Sequence, residues 1–244
     1  VGNPGGAEVD NENNMNYTYA DIAKMIDHSL LNPALTLAEL DAGVELALRY
    51  DVASVCIMPY ALKRAADRLR GSNVKASTTI GFPHGGHATE TKVAETRRAA
   101  ADGGEELDMV VNVSAVRSGA WDYVRRDIAA VIEAAHGAGA KVKVIFENCY
   151  LNEEQKIRLC EICSELEADW VKTSTGYGTG GATLEDLRLM RKHCPPRVGV
   201  KAAGGIRNLD MLLEARQAGA DRCGASRTAE ILDECRRRLN LPPL

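Results

Sequence analysis

No stretch of this 244-residue chain approaches the ~18 consecutive apolar residues that a membrane-spanning helix needs. A helical membrane protein is therefore not expected. Basic charge is not in excess either. Lys and Arg number 30 against 34 Asp and Glu, a net charge of −4, whereas a general nucleic-acid binder would carry a basic surface. The start lacks a charged segment followed by an apolar one, as a secretory leader would have, so a cytoplasmic location is the default expectation. The seven cysteines form no even, regularly spaced set, which excludes a disulfide framework. Cys160 and Cys163 make a lone C-x-x-C inside a helical pattern. With no second pair, neither a structural zinc nor a redox role is expected of them.

What remains is a chain with 45% hydrophobic residues, enough for a sizeable core, and a length suited to one large domain. Residues 1–16 are rich in Gly and Asn and nearly free of large apolar side chains. They cannot offset the entropy of ordering, and a disordered tail is expected there. Residues 17–244 are expected to form the domain. Strand-like apolar runs fall near 25–30, 53–58, 75–80, 106–111, 141–146, 169–173, 198–202 and 222–225. Patterns of period near 3.6 lie between them, clearest at 37–50, 90–102, 121–138 and 184–194. The strands read as apolar on both faces, as a parallel sheet covered by helices requires. Glycines recur where helices hand over to strands, at Gly103-Gly104, Gly139 and Gly219, and glycine readily takes the left-handed conformation that stops a helix. Eight such units predict a closed (β/α)8 TIM barrel as a single domain. A doubly wound open sheet is the alternative, since spacing alone does not establish closure.

In such barrels the chemistry sits at the C-terminal ends of the strands. Two lysines occupy that position on consecutive strands: Lys172 in DWVKTSTGYGTGG and Lys201 in RVGVKAAGG. Lysine is rarely buried without a partner. An ordinary lysine, with a pKa of ~10.4, is neutral in roughly one molecule in 2,500 at pH 7. Lowering it by ~3 units, at about 4 kcal/mol, leaves roughly a third neutral and nucleophilic. A second ammonium and a desolvated pocket both act in that direction. Asp108 interrupts the apolar run LDMVV, where a buried acid is costly without a purpose. It suits proton transfer, an ion pair with a lysine, or both.

The glycines offer several readings. Residues 176–181 contain a formal G-x-G-x-x-G. It sits in the sixth unit, and the strand about 20 residues on carries a lysine rather than an acid. A flexible loop over the barrel mouth is the plainer reading than a dinucleotide site. Gly204-Gly205 and Gly224-Ala225-Ser226 follow the seventh and eighth strands, where backbone N–H groups commonly hold a phosphate. His84 and His87 flank two glycines without an evident third ligand, so no metal site is expected. Cys56, ending the second strand, reads as a small buried hydrophobe.

These segments, in this order, resemble the deoxyribose-phosphate aldolase family. The resemblance runs through Ile26-Asp27-His28-Ser29-Leu30, Ser54-Val55-Cys56-Ile57, Gly81-Phe82-Pro83-His84-Gly85, Glu106-Leu107-Asp108-Met109-Val110, Val171-Lys172-Thr173-Ser174-Thr175-Gly176 and Val200-Lys201-Ala202-Ala203-Gly204-Gly205. It implies a metal-independent, cofactor-free class I aldolase that splits a phosphorylated deoxysugar. Lys172 falls on the Schiff-base lysine, Lys201 on the lysine that tunes it, and Asp108 on the carboxylate of proton transfer. Gly204, Gly205 and Ser226 fall on phosphate-holding positions, with Asp27 and Thr173 supporting the substrate. A homodimer is a further expectation. Three positions depart from the family pattern. The sequence ends Leu241-Pro242-Pro243-Leu244, without the terminal tyrosine of some members. Arg227 stands where a second serine is frequent, and Tyr177 where some members carry lysine. Two other readings remain: a related Schiff-base aldolase for another phosphorylated sugar, and a phosphosugar-binding barrel without catalysis.

Overall fold

The computed structural model describes residues 16–244. The expected tail lies outside the described residues, apart from Asn16. Eight parallel strands follow one another around a closed barrel: β1 (Ile26–Leu30), β2 (Ser54–Ile57), β3 (Lys75–Ile80), β4 (Glu106–Val110), β5 (Lys141–Ile145), β6 (Trp170–Lys172), β7 (Gly199–Ala202) and β8 (Arg222–Ala225). Closure rests on β1 pairing with β8, where Ile26, Asp27 and His28 lie opposite Cys223, Gly224 and Ala225. The open-sheet alternative is thereby excluded.

Ten α-helices are present among the described residues. A short α1 (Tyr19–Ala23) packs against the last helix. The connecting helices are α2 (Leu37–Arg49), α3 (Leu62–Leu69), α4 (Thr89–Ala101), α6 (Trp121–His136), α7 (Glu153–Glu165), α8 (Leu184–His193) and α9 (Leu209–Gln217), with α5 (Val113–Arg117) a single extra turn before α6. α10 (Thr228–Arg238) follows β8. Local chemistry sets their starts. Thr36 accepts from the Glu39 backbone N–H while the Glu39 carboxylate accepts from Thr36, and Asn152 and Gln155 repeat the exchange at α7. Such capping boxes satisfy N–H groups that a helix end leaves unpaired. α1 and α5, five residues each, are too short to show a helical period in sequence. No described helix is long and apolar enough to cross a membrane.

The apolar core lies between the helices and the outer face of the barrel, with Ile26, Val55, Leu107, Val142, Val144, Val171 and Val200 fully or almost fully buried. Burying one such side chain contributes about 1.5–3 kcal/mol. One ion pair is set into this layer. Lys92 of α4 meets Asp127 of α6 at 2.6 Å and the Val110 carbonyl at 2.9 Å, with both side chains essentially inaccessible. It fixes α4 and α6 over the C-terminal end of β4.

The barrel interior is of another kind. Branched apolar side chains usually fill it. Here Asp27, Glu106, Asp108, Lys143, Lys172, Lys201 and Arg222 meet one another across it. Trp170, at the N-terminal end of β6, underlies this network. Lys143 and Arg222 lie 5.4 and 5.0 Å from its ring centroid, within cation–π reach. The ring rests on Gly199, where a Cβ would come within 2.1 Å of it, so only glycine leaves room for the indole.

Candidate active site

The two lysines at the centre of the site are register partners, Lys172 of β6 opposite Lys201 of β7. Their side chains leave neighbouring strands on the same face, and both amines reach one atom. The Asp108 Oδ2 accepts from Lys172 Nζ at 2.8 Å and from Lys201 Nζ at 2.7 Å. Its other oxygen accepts from Lys143 Nζ at 3.0 Å. Lys201 also lies 2.5 Å from Asp27 Oδ2, as an ion pair without hydrogen-bond alignment. Asp27 in turn pairs with Arg222, which donates to Glu106 at 2.8 Å, and Glu106 meets Lys143 at 2.6 Å.

Electrostatics divide the two amines. Burial pushes Lys172 below the ordinary lysine value; Asp108 opposes this and Lys201 adds to it, and the net shift is downward. Burial acts on Lys201 too, but Asp108 and Asp27 outweigh it and hold that amine above the usual value. Asp108 would be raised by its complete burial, yet Lys143, Lys172 and Lys201 hold its carboxyl well below the usual range. Asp27 is held below it in the same way by Lys201, Lys143 and Arg222. The site thus presents one lysine of lowered basicity beside one of raised basicity, each bonded to the same carboxylate.

A cavity of about 360 Å³ opens above them at the C-terminal end of the barrel. Lys172, Lys201, Cys56 and Asp27 line its depth, and Gly204, Gly205, Arg207, Ser226 and Arg227 line another part of its wall. Asp108 is fully buried behind the amines and off the cavity wall. Gly204 has φ +79°, in the left-handed region, and a Cβ there would come 2.9 Å from the Gly181 Cα. Ala182 N–H donates to the Ala203 and Gly204 carbonyls at 2.9 and 3.1 Å. The loop after β6 is in this way laced to the loop after β7. Ser226 lies just before α10, whose first turn is at the same end of the barrel.

A strap of hydrogen bonds crosses the mouth. Glu147, with φ 58°, accepts from Thr175 N–H at 3.0 Å and from the Thr175 hydroxyl. The Thr175 hydroxyl oxygen accepts from Tyr177 N–H at 3.0 Å. The Tyr177 hydroxyl donates to the Leu31 carbonyl at 2.7 Å, and its ring stands edge-on to Phe82 at 5.6 Å. The glycine-rich loop therefore joins β5, β6, β1 and β3 over the cavity.

The structure brings Lys172, Lys201, Asp108 and Asp27 together, and places Gly204, Gly205 and Ser226 on one cavity. Thr173 is placed apart from these: it is not among the residues that line the cavity. It is fully buried, donates to the Ala203 carbonyl at 3.2 Å and accepts from Ala203 N–H at 3.1 Å. Successive strand residues point to opposite faces, and Thr173 follows the inward Lys172. Three participants escaped the sequence reading: Lys143, Glu106 and Arg222. For Lys143 a signal existed, since a lysine in the apolar run KVKVI is as costly as the acid in LDMVV. Glu106 and Arg222 open their strands and look there like solvent-facing ends.

Comparison with known proteins shows the family. A sequence model of DeoC/LacD family aldolases matches residues 22–229. The deoxyribose-phosphate aldolase of Rhodopirellula baltica is 65% identical over 228 residues, covering 93% of this chain and 95% of the relative. That of Thermococcus gammatolerans is 50% identical over 218 residues, covering 88% and 97%. Among solved structures, the tetrameric deoxyribose phosphate aldolase of Aeropyrum pernix superposes with a TM-score of 0.83 at 30% identity, over 90% of this chain and 92% of that one.

Proposed function

From the premise that this chain belongs to the DeoC/LacD family of aldolases, we propose that it reversibly cleaves 2-deoxy-D-ribose 5-phosphate to acetaldehyde and D-glyceraldehyde 3-phosphate. Lys172 is the nucleophile in this reading. Its neutral amine attacks the C1 aldehyde of the open-chain sugar, and loss of water leaves a protonated imine. The imine is the electron sink, a role that a metal ion fills in other aldolases. A base removes the C3 hydroxyl proton, the C2–C3 bond breaks, and its electron pair passes into the imine as an enamine. Glyceraldehyde 3-phosphate leaves. Protonation at C2 and hydrolysis release acetaldehyde and restore the amine.

Lys201 and Asp108 hold and move the protons. Lys201 Nζ is at the cavity, charged, and bonded to the carboxylate that also holds Lys172. Gly204, Gly205 and Ser226 are the proposed phosphate end, where backbone N–H groups and the first turn of α10 favour an anion. Arg207 and Arg227 lie on the same wall and supply cationic side chains where Tyr177 supplies none. The reaction is assigned to the barrel of residues 17–244, in a cytoplasmic setting. Self-association as a homodimer belongs to the same proposal, and sedimentation velocity decides it.

One observation carries this reading: a buried lysine of lowered basicity faces a cavity and shares an acceptor with a second, charged lysine. Acetaldehyde followed by borohydride should add a stable ethyl group to Lys172, located by peptide mass spectrometry. No adduct, or trapping of a ketone donor instead, would contradict the proposed reaction.

A further inference from the structure

We propose that Lys143, which lines no part of the substrate cavity, keeps Lys172 neutral by making the barrel interior one cation over balance. The interior network contains three carboxylates, Asp27, Glu106 and Asp108, and four cationic side chains, Lys143, Lys172, Lys201 and Arg222. All seven are buried or nearly so. Three cations suffice to neutralise three carboxylates, and a fourth charge in a desolvated interior is costly without a partner of its own. The fourth proton is therefore the one shed.

Geometry decides which group sheds it. Lys143 sits among all three acids, 2.6 Å from Glu106, 3.0 Å from Asp108 and 3.6 Å from Asp27. Arg222 holds Glu106 and Asp27 and does not deprotonate in proteins. Lys201 holds Asp108 and Asp27. Among the described residues Lys172 has Asp108 alone, through an oxygen that Lys201 already occupies. It is the cation with the least claim on negative charge, and it lines the cavity. Basicities follow the same order: burial lowers every lysine here, but the acids raise Lys143 and Lys201 above the usual value and leave Lys172 below it.

Lys143 faces charged or titratable groups from most of the strands around it. β4 supplies Glu106 and Asp108, β1 Asp27, β8 Arg222, β6 Lys172 and the Trp170 ring, and β7 Lys201. β2 adds Cys56, whose thiol burial holds protonated. The lysine of β3, Lys75, is turned away to Glu105 at 2.7 Å. On β5 itself, Lys141 is exposed and lies against Trp170.

Lys143 is thus a positioning residue, and the inference rests on the Schiff-base role proposed for Lys172. Its test is the pH profile of kcat/KM for deoxyribose 5-phosphate. Lys143→Met removes the surplus cation, so Lys172 becomes the third partner of three acids. Its acid limb should move up by about one pH unit or more, with at least a tenfold loss near neutrality that recovers at high pH. Lys143→Arg should restore the original limb. Glu106→Gln breaks the same Lys143–Glu106 bridge but removes an acid, so its limb should move down. Two variants that damage one contact and shift the profile in opposite directions cannot both act by loosening the fold. Loss of rate with an unmoved limb, or limbs moving the same way, would overturn the inference. Should the variants not fold, neutron diffraction of the unaltered protein decides: three protons on Lys143 and Lys201 and two on Lys172 support it, and any other distribution overturns it. Failure of acetaldehyde to attach to Lys172 would remove the premise; an unmoved limb with attachment intact would remove only this inference.

Discussion

The amines of Lys172 and Lys201 share one acceptor, the Oδ2 of Asp108, at 2.8 and 2.7 Å. Two full positive charges on one buried oxygen repel each other at close range, where little water screens them. The arrangement is relaxed when one amine is neutral. Lys201 has a second acid in Asp27 and, among the described residues, Lys172 has none. That difference in partners separates the two amines, although both are buried and both come from the same end of adjacent strands.

Replacing Lys172 by Met should abolish turnover and leave the fold intact. Because the amine is held at the expense of desolvation, its loss should also leave Tm equal to or above that of the unaltered protein, as at other sites where function opposes stability. Circular dichroism melts with an aldolase assay test both halves.

Lys201→Leu should lower kcat/KM by several orders of magnitude. The variant loses the proton-carrying amine at the cavity and the charge that lowers Lys172. Its residual activity should therefore need higher pH than the unaltered protein. Near-original activity at pH 7 would mean that Lys201 does not tune its neighbour.

Gly204→Ala places a Cβ at φ +79°, 2.9 Å from the Gly181 Cα. Left-handed backbone costs a non-glycine residue about 1–2 kcal/mol, and the loops after β6 and β7 must part. Steady-state kinetics should show KM for the phosphorylated sugar rising about tenfold. Unphosphorylated 2-deoxyribose should be affected much less, because the change is at the proposed phosphate end.

His28 predicts a feature of the pH–stability curve. Its ring bonds the Thr228 hydroxyl at 2.8 Å, and burial pushes its pKa down to about 4. The folded protein keeps it neutral while the unfolded chain takes a proton near pH 6.5. Stability from this group is complete above that value and is lost as pH falls towards 4, by up to about 3 kcal/mol. Chemical denaturation of His28→Asn between pH 4 and 6.5 should show a shallower slope. An unchanged slope would assign the effect elsewhere. Asp27 and Asp108 act below this window, since their depressed carboxyls lose their contribution only as pH falls through the acid range.

Much of this was legible in the sequence because the informative residues were expensive in their settings. Asp108 within LDMVV and Lys172 and Lys201 before glycines are charges on apolar strands, and the eight-fold alternation carried the barrel. Closure was not legible, since it depends on β1 meeting β8, residues nearly the whole chain apart. Nor was the depth of the ionic network. Lys141 and Lys143 look alike in KVKVI, yet one is exposed and the other completely buried. The same alternation sets Thr173 apart from the inward Lys172, because a residue beside an inward lysine faces outward. Arg222 and Glu106 acquire meaning only when the strands are brought round to face each other.

The central claim is that Lys172 is uncharged near neutral pH, and the rate of acetaldehyde–borohydride trapping as a function of pH tests it most directly. A single adduct at Lys172, formed with an apparent pKa clearly below the ordinary ~10.4, is the predicted result. An apparent pKa near 10, or an adduct on Lys201 in its place, would contradict the account.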